Sequence, residues 1–517
     1  MYATKKTTPA PTTATTASGA SAALEAWADA WVERLPLEPD AILTRGRGAH
    51  LSRLAAAAPR GLIVSWIGGQ GPPVRDGGQL LVPTLEAFGA LSRHLLGAGL
   101  EVYRADPRPT TREQTTDAAR FEQVIAAARR EALVEHGTLS QLADQWCDNL
   151  EHNLPRVMLA PSMGDAIDRL HAVPVLVAGA GPALATVLDK LLAHRDRFVL
   201  LAASSAVRPL WRAGVHPDAV VMIEGRDCTK HFAGLPSDAL ARVVLIADSA
   251  THPAHLMLPW GRMVFFHGAA GCWLEGWSGR GSIVPTGGNV GTTALVLAWM
   301  LGGRPVLAAG LDFAMSADGS CYTAHSGSTV PHALGPLGGL VRAWDGGTLP
   351  ASAELICYRE QTEQILGVIH NEDPAAEFLC LTARGARVAE MRLDASGQSL
   401  AQLPPLPRTR AADALLWPPS QRTMLDRGPD RIERGRRTVM RSLERLSNDP
   451  SGPHLALALA AADDLLLRLL VIPGLIRGVD QGRPAPEAAR AAIRLAEQRM
   501  ERMSRRAILL AERLTRP

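Results

Sequence analysis

The sequence lacks the cysteine pattern of a disulfide-rich or zinc-binding protein. Its six cysteines are spread over 517 residues, and no two of them form a Cys-x-x-Cys pair. Disulfide frameworks and zinc ribbons depend on closely spaced cysteines, whereas scattered thiols are typical of a reducing compartment. We therefore expect a cytoplasmic protein without disulfide bonds. The cysteines are Cys147, Cys228, Cys272, Cys321, Cys357 and Cys380.

A long uninterrupted apolar run is also missing. The most apolar segment, residues 455–472, contains two aspartates and Arg468, and such charges are costly inside a bilayer. Lys5 and Lys6 lie near the first residue, but the apolar stretch of a signal peptide does not follow them. We expect neither a membrane span nor secretion.

Charge of one sign is not in excess. The formal net charge is +3 at pH 7, which gives no whole-protein electrostatic reason to expect a nucleic-acid partner. Hydrophobic residues make up 47% of the chain, and its length is sufficient for more than one buried core. The composition therefore predicts a globular protein of several domains.

The first part of the chain predicts a tail and a small domain. Residues 7–20 contain only Thr, Ala, Pro, Ser and Gly, too little apolar bulk to offset the entropy of ordering, so we expect a disordered tail through residue 22. An apolar run at 62–67 predicts a buried strand, and helical patterns follow near 85–96 and 121–133. These elements predict an N-terminal α/β domain over residues 23–137.

That strand ends in a glycine-rich segment, Gly68-Gly69-Gln70-Gly71. Such a segment could be a nucleotide-binding loop. Pro72 and Pro73 follow it, and no capped helix begins there, which favours a plain turn.

The rest of the chain predicts a central domain over 138–400 and a helical domain over 401–517. The central domain begins with an amphipathic helix at 139–150 that Thr138 caps. Strands alternate with helices after it, a pattern typical of a Rossmann-like, mostly parallel sheet with helices on both faces. The predicted strands are 173–177, 198–202, 219–223, 243–247, 263–266 and 305–309, and the predicted C-terminal helices are 431–446, 455–470 and 486–514.

A glycine-bearing turn follows the first predicted strand of the central domain. The strand stops at Gly179-Ala180-Gly181-Pro182, and a helical pattern comes next. Backbone N–H groups and the partial positive charge of a helix N-terminus favour a phosphate at such a turn. The third glycine of a dinucleotide fingerprint and the lysine of a P-loop are both missing. Gly179, Gly181 and Pro182 are candidate binding residues, and a turn without a ligand is the alternative.

A second loop and strand end carry further candidates. Residues 285–293 open an apolar helix, and the strand at 305–309 runs into Gly310-Leu311-Asp312. Asp312 is at the carboxyl end of a strand, where ligands of open α/β sheets lie. It could also be a solvated surface acid, just as the polar loop residues could cap the helix or contact a ligand. The loop candidates are Thr286, Gly287, Gly288, Asn289 and Thr292.

Three acids lie around another predicted strand. Asp218, Glu224 and Asp227 flank the strand at 219–223. Carboxylate oxygens are ligands that Mg²⁺ prefers, so the three could bind a metal that bridges phosphates. Glu224 is also a candidate substrate-binding residue, and solvated surface acids are the alternative.

Several ordered motifs resemble the motility-associated factor (Maf) family of flagellin glycosyltransferases. The resemblance covers roughly residues 138–392. The Gly179 turn and the Gly310-Leu311-Asp312-Phe313 strand end also resemble bacterial sialyltransferases that use CMP-activated sialic acid. The motifs are Asn149-Leu150, Asn153-Leu154-Pro155, 179–184, 214–218, 286–293 and 310–314.

The resemblance implies an inverting O-glycosyltransferase. Its donor would be a CMP-activated nonulosonic acid, pseudaminic or legionaminic acid, and its acceptor a Ser or Thr of flagellin. It implies that Ser204 or Ser205 holds the nucleotide and that Tyr322 binds the phosphate. No cofactor would be required, and Mg²⁺ need not take part.

Transfer to a hydroxyl also requires a base that works near neutral pH. A histidine or a carboxylate could serve. The candidates after the Gly310 strand end are Tyr322 and His325, on a Gly/Ser-rich loop able to close over a ligand, and Asp312 is a further candidate catalytic residue. His325 is our first choice for the base, and the alternative is a loop histidine bonded to backbone.

Two other functions stay open. The central domain also resembles archaeal 6-hydroxymethylpterin diphosphokinase, which would imply pyrophosphate transfer from ATP with Mg²⁺. A non-catalytic protein that holds flagellin would use the C-terminal helices but not the pocket. The first of those helices is arginine-rich and could dock an acidic protein or form a solvated face; its arginines are Arg431, Arg434, Arg436, Arg437, Arg441 and Arg445.

Overall fold

The structure is a computed structural model, and its described residues form two compact units. Those up to Ala132 form the first unit and those from Leu133 onward form the second. The predicted tail at 1–22 lies outside the described residues, as do residues 407–427 and residues 455–464 of the predicted helix at 455–470. The structure describes residues 39, 41–47, 49–58, 62–76, 79–97, 102–105, 112–278, 282–328, 334–335, 337–406, 428–447, 465–481, 483 and 485–515.

The first unit contains a five-stranded sheet. Its strand order is β3-β4-β2-β1-β5, and all neighbours are parallel except β3 and β4. Strands β1 and β2 are buried along their whole length. The apolar run at 62–67 predicts this for β2, whereas β1 is an additional strand whose buried residues include Thr44 and Arg45. The strands are β1 (Ala41–Arg45), β2 (Leu62–Trp66), β3 (Val74–Asp76), β4 (Gln79–Val82) and β5 (Val102–Ala105), and the helices are α1 (Ala49–Ala57) and α2 (Leu85–Gly97).

One long helix, α3 (Arg112–Leu159), replaces two predicted helices. Thr138 is inside it, and its hydroxyl donates to the carbonyl of Val134 at 2.8 Å, so the predicted cap is wrong. Buried side chains continue at helical spacing on both sides of Gly137. A single glycine costs a helix only about 1 kcal/mol relative to alanine, and this packing offsets that cost.

The second unit contains an eight-stranded sheet in which every pair is parallel. This confirms the predicted Rossmann-like sheet. The strands are β6 (Val175–Ala178), β7 (Val199–Ala203), β8 (Ala219–Met222), β9 (Val244–Asp248), β10 (Arg262–Phe266), β11 (Val306–Ala309), β14 (Phe378–Cys380) and β15 (Arg392–Leu393), with a separate hairpin of β12 (Gly339–Arg342) and β13 (Thr348–Ala351).

Helices accompany this sheet and follow it in the chain. The central ones connect successive strands, and the last three come after the sheet, where the sequence predicts a helical domain. They are α4 (Leu188–Ala193), α5 (Val207–Arg212), α6 (Glu275–Ser278), α7 (Val290–Met300), α8 (Ala353–Glu372), α9 (Gln398–Gln402), α10 (Gly428–Ser447), α11 (Leu465–Asp480) and α12 (Ala485–Thr515).

The strand order creates a switch point at the middle of the sheet. The order is β10-β9-β8-β7-β6-β11-β14-β15, so the chain builds outward from β6 and then crosses to the other side at β11. Helices on the two sides of a switch point leave a crevice at the carboxyl ends of the strands. In this sheet the switch point lies at the ends of β6 and β11, where both predicted glycine motifs occur.

Two buried asparagines of α3 hold neighbouring strand ends in place. The Asn149 amide donates to the carbonyls of Gly225 and Ala250 at 2.8 and 3.1 Å. The Asn153 amide donates to the carbonyls of Ser249 and Thr251 at 3.0 and 2.8 Å. The Asn149 and Asn153 motif therefore fixes the loops after β8 and β9.

The C-terminal helices pack at close distance. An added Cβ at Gly474 would lie 2.9 Å from the Cα of Ala492, and at Gly478 it would lie 2.5 Å from the Cβ of Ala488. The same helices bind α3 through Asp144, which accepts hydrogen bonds from two arginines, Arg477 and Arg499. None of the described helices is both long enough and apolar enough to cross a membrane.

Candidate functional site

The two glycine-bearing strand ends lie directly against each other. The N–H of Gly179 donates to the carbonyl of Ala309, and the N–H of Gly181 donates to that of Gly310, both at 2.8 Å. An added Cβ at Gly179 would lie 2.5 Å from the Gly310 oxygen, closer than such atoms can approach. Only glycine fits there, and the two motifs form one continuous surface at the switch point.

Asp312 fills the space between these turns. Its Oδ2 accepts a hydrogen bond from the N–H of Ala183 at 2.7 Å, at the start of the short 3₁₀ turn Pro182–Thr186. An added Cβ at Gly181 would lie 2.5 Å from the Asp312 Cγ. The helical end that the sequence predicts as a phosphate site is thus occupied by the protein's own carboxyl group.

This arrangement corrects the predicted role of the first turn. The N–H groups of Gly179, Gly181 and Ala183 all donate inside the protein, and Pro182 has none. Those four residues therefore offer no N–H group to a phosphate. Gly179 and Gly181 instead allow the close approach of β11 and Asp312.

Asp312 has an unusual electrostatic environment. Its side chain is 7% exposed, and its Oδ1 has no hydrogen-bond partner among the described residues. Burial raises the pKa of this carboxyl to about 7, and the Ala183 N–H bond opposes the rise. The solvated-acid alternative is wrong, because Asp312 is buried and its Oδ1 is a buried oxygen without a hydrogen-bond partner among the described residues.

The Gly/Ser-rich loop folds back onto the first turn. The N–H of Thr323 donates to the carbonyl of Ala180 at 2.7 Å. His325 is exposed, has a φ of +68°, and places Nδ1 3.1 Å from Nη1 of Arg212. Positive φ is costly for a residue with a Cβ and is found in tightly constrained loops. The alternative role of His325, a loop histidine hydrogen-bonded to backbone, does not hold for Nδ1, because the partner of Nδ1 is the Arg212 side chain.

Tyr322, on the same loop, belongs to a group with Glu224 and Tyr358. Burial is the main cause that raises the pKa of each of these three side chains. The Glu224 charge raises the pKa of both tyrosines further, so the three groups are within electrostatic reach of one another. Tyr358, on α8, has no motif signal in the sequence.

The loop before α7 has its polar groups largely satisfied. Asn289, not Thr286, is the helix cap: its Oδ1 accepts from the N–H of Thr292 at 2.9 Å. Its amide donates to the carbonyl of Gly287 and to the Thr292 hydroxyl. Gly287 and Gly288 have φ of +54° and +70°. Asn289 and Thr292 thus shape the loop.

This loop borders both the second strand end and α8. An added Cβ at Gly291 would lie 2.6 Å from Leu311, next to Asp312, and one at Gly288 would lie 3.0 Å from the ring of Tyr358. The half-buried Thr286 accepts backbone and hydroxyl hydrogen bonds through its carbonyl only. No hydrogen bond of the Thr286 hydroxyl to another described residue is observed.

The serines after β7 differ in environment. Ser204 is buried, and its Oγ lies 3.1 Å from Nδ1 of His231. Burial, with a smaller contribution from Lys230 and Arg208, lowers the pKa of His231 to about 4, so this histidine is neutral at pH 7. Ser205 is half-buried. Neither side chain caps the helical turn that begins at Ser204.

The three acids proposed for Mg²⁺ do not come together. Asp218 precedes β8, where it accepts from the N–H of Leu200 and pairs with Arg195, whereas Glu224 follows the same strand. Asp227 is exposed and accepts from the N–H of Thr229. Within the described ranges no three His, Cys, Asp or Glu side chains are grouped to hold a metal.

Comparisons with known proteins agree with the fold described above. The 6-hydroxymethylpterin diphosphokinase MptE-like family model matches residues 148–318, which include β6 through β11 and Asp312. The solved structure of the Maf glycosyltransferase from Magnetospirillum magneticum AMB-1 superposes with a TM-score of 0.55 at 15% identity, covering 95% of this chain and 84% of the other. A search of curated protein sequences finds no match.

The resemblance to the Maf glycosyltransferases is therefore confirmed at the level of the fold. The structural similarity extends over nearly the whole chain, including both the small first sheet and the C-terminal helices. The family model covers only the part that holds the switch point. The chain is thus built as the Maf glycosyltransferase is, and its activity has to be argued from the site.

Proposed function

We propose that this chain is an inverting O-glycosyltransferase that transfers a nonulosonic acid, pseudaminic or legionaminic acid, from its CMP ester to Ser or Thr of flagellin. The observation that carries the proposal is Asp312, a buried carboxyl with a free Oδ1 and a pKa near 7 at the switch point of the sheet. The fold shared with a Maf glycosyltransferase and the ordered motifs support this donor and acceptor.

The chemistry requires one proton acceptor and one departing anion. The acceptor hydroxyl oxygen attacks the anomeric carbon while the bond from that carbon to the phosphate oxygen breaks, and CMP leaves with the electron pair. The hydroxyl proton moves to the base. A carboxyl group with a pKa of about 7 is matched to this step, because it is about half ionised at pH 7 and its carboxylate form is basic enough to accept the proton.

This assignment changes the order of the two base candidates. His325 Nδ1 is engaged by Arg212, and the ring is exposed, whereas Asp312 is buried between the two turns. Asp312 is therefore the base. His325 has a supporting role on the loop that covers the site. Glu224, Tyr322, Thr286 and the half-buried Ser205 form the substrate-binding part.

Pyrophosphate transfer is the second candidate, and the family-model match favours it. That chemistry would use ATP with a divalent cation held by carboxylates. Asp218 and Glu224 lie at opposite ends of β8, which removes the cluster that the sequence suggested. Mg²⁺ bound by ATP phosphates and one carboxylate would still suffice for this alternative.

Two measurements on the purified chain separate these functions. Thermal unfolding is followed with CMP and, separately, with ATP and Mg²⁺, because a ligand that binds the folded state raises the unfolding temperature. Intact-mass analysis then follows flagellin incubated with the chain and CMP-pseudaminic or CMP-legionaminic acid. Stabilisation by CMP and a mass gain of one nonulosonic acid per site are expected. Stabilisation by ATP with Mg²⁺ alone would refute glycosyl transfer.

A flagellin-holding protein without catalysis is tested by two variants. Asp312→Asn and His325→Ala should still bind flagellin in a pull-down experiment, while the mass gain is lost with Asp312→Asn and reduced with His325→Ala. Unchanged modification in both variants would contradict the catalytic assignment.

A further inference from the structure

Two arginines beside the site have no carboxylate partner in the part of the chain that the structure describes. Arg208 and Arg212 are one helical turn apart on α5, so their side chains share a face. Neither forms an ion pair with a carboxylate among the described residues; the Arg212 guanidinium contacts only the His325 ring. Other arginines of the same unit are paired, as Arg195 is with Asp218 and Arg304 with Asp373.

The position of α5 places these cations at the switch point. The helix follows the carboxyl end of β7, the strand next to β6. The Gly/Ser-rich loop passes over them: an added Cβ at Gly327 would lie 3.2 Å from Nη1 of Arg208 and 3.3 Å from the Lys230 carbonyl. His325, two residues earlier in the loop, contacts Arg212. The loop that covers the site thus lies on both arginines.

The local potential at this place is positive. Arg208 and Lys230 both lower the pKa of the buried His231, adding to the effect of its burial. Arg208 is half-buried and Arg212 is exposed. A guanidinium partly removed from water without a counter-charge is unfavourable, and a bound anion would compensate it.

The first glycine turn does not supply hydrogen-bond donors for such an anion through Gly179, Gly181 or Ala183. Its N–H groups at Gly179, Gly181 and Ala183 are used inside the protein. A nucleotide donor at this site therefore requires other hydrogen-bond donors for its phosphate. Guanidinium groups suit that task, because their forked N–H groups match phosphate oxygens and stay charged at all working pH values.

We propose that Arg208 and Arg212, with Lys230 beside them, bind the phosphate group of the nucleotide donor. This inference rests on the proposed function for the identity of the nucleotide. The cations neutralise the phosphate in the bound donor and stabilise the additional charge that develops on it as the sugar leaves. The loop of Tyr322, His325 and Gly327, which lies on both arginines, shields the phosphate and the bond that breaks from water.

Calorimetric titration of the full chain tests the proposal with three ligands: CMP, cytidine, and inorganic pyrophosphate. The variants are Arg208→Gln, Arg212→Gln and the double variant, with Arg208→Lys as the conservative change. Arg242→Gln is the matched control, because Arg242 is an exposed arginine at the opposite, amino-terminal edge of the same sheet, before β9. Thermal unfolding of each variant shows whether the fold is retained.

Each glutamine variant should weaken CMP about tenfold, and the double variant about 100-fold, because each loses a charge-assisted hydrogen bond. Cytidine, which lacks the phosphate, should bind all variants within about twofold of the wild type. Arg208→Lys should keep part of the CMP affinity, and Arg242→Gln all of it.

The outcomes separate this inference from the proposed function. Unchanged CMP affinity in the folded double variant would overturn the phosphate site while leaving glycosyl transfer intact. Failure of the wild type to bind CMP, with pyrophosphate binding that the double variant loses, would reject the CMP donor and support the anion site. Failure of the wild type to bind either CMP or pyrophosphate would overturn both.

Discussion

Two glycine-rich segments of this chain follow buried strands, yet they have different structures. After β2, the segment Gly68-Gly69-Gln70-Gly71 is exposed, and an added Cβ at any of its glycines would meet nothing within 4 Å. All three glycines there have positive φ. After β6, Gly179 and Gly181 are buried, and an added Cβ would meet atoms of Gly310 and Asp312 within 2.8 Å.

The difference lies in what each strand has beside it. The chain after β2 turns into the β3–β4 hairpin, so no helical turn begins there, and no described atom lies within 4 Å of a Cβ added to these glycines. The chain after β6 starts a helical turn beside the end of β11, which brings a carboxylate to it. The glycines after β2 allow the backbone to bend. The glycines after β6 allow the ends of β6 and β11 to approach each other closely.

We expect the largest effect from removal of the Asp312 carboxyl group. This group lies beside the turn after β6 and has no counterpart at the turn after β2. Asp312→Ala should lower the rate of transfer about 10²- to 10⁴-fold, the usual contribution of a positioned base. CMP binding should change little, because the proposed phosphate site is on α5. Single-turnover transfer assays measure the rate. Gln70→Ala, at the end of β2, is the control, and an equal loss in both variants would contradict a local role.

We expect the pH dependence of the transfer rate to come from Asp312, at the end of β11, and not from the segment after β2. The pKa of Asp312 is raised to about 7, and a base acts when ionised. The rate should therefore fall about tenfold for each pH unit below about 7 and level off above it. Residues 67–71 contain no titratable side chain, so the other strand end contributes nothing. A rate that is flat from pH 5 to pH 8 would exclude Asp312 as the base.

Gly181→Ala should have the next largest effect, on stability and activity together. The φ of Gly181 is −62°, which any residue can adopt, so the cost comes only from crowding against Asp312 and Gly310. We expect a loss of about 2–3 kcal/mol in the free energy of unfolding. Urea unfolding measures it. In the Asp312→Ala background the loss should be smaller, and equal losses in both backgrounds would contradict the close contact.

The smallest effect is expected from Gly68→Ala. Its φ of +69° strains any residue with a Cβ, but no neighbour lies within 4 Å. The loss of stability should be about 1 kcal/mol, with no change in CMP binding or transfer. Urea unfolding and the transfer assay check this. A large loss of transfer in this variant would show that the first sheet contributes to the site, and the comparison would fail.

Much of the second unit could be predicted from local patterns. Continuous apolar runs between turn residues placed the strands from β6 to β11 correctly, because a strand buried on both faces needs such a run. The same approach failed at Thr138, which has the chemistry of a cap but is inside α3. Packing on both sides of Gly137 outweighed the local signal.

The site was only partly predictable. Asp312 could be proposed from its place after a strand, but its burial depends on residues far away in the chain, including Gly181 and Gly385, whose added Cβ would lie 2.9 Å from the Asp312 Cα. Arg208 and Arg212 carry no motif. The lack of a carboxylate partner, which marks them out, is visible only when all neighbours are known.

The amino-acid sequence by itself determined the type and approximate limits of most elements and the positions where the chain must bend, because these depend on side chains a few residues apart. The tertiary structure alone decided that the Asp312 carboxyl group occupies the turn after β6, and that Arg208 and Arg212 lie under the loop of His325 and Gly327 without a carboxylate partner among the described residues. The physical reason is that a backbone N–H group donates one hydrogen bond. Its acceptor is determined by the neighbours that the fold brings together.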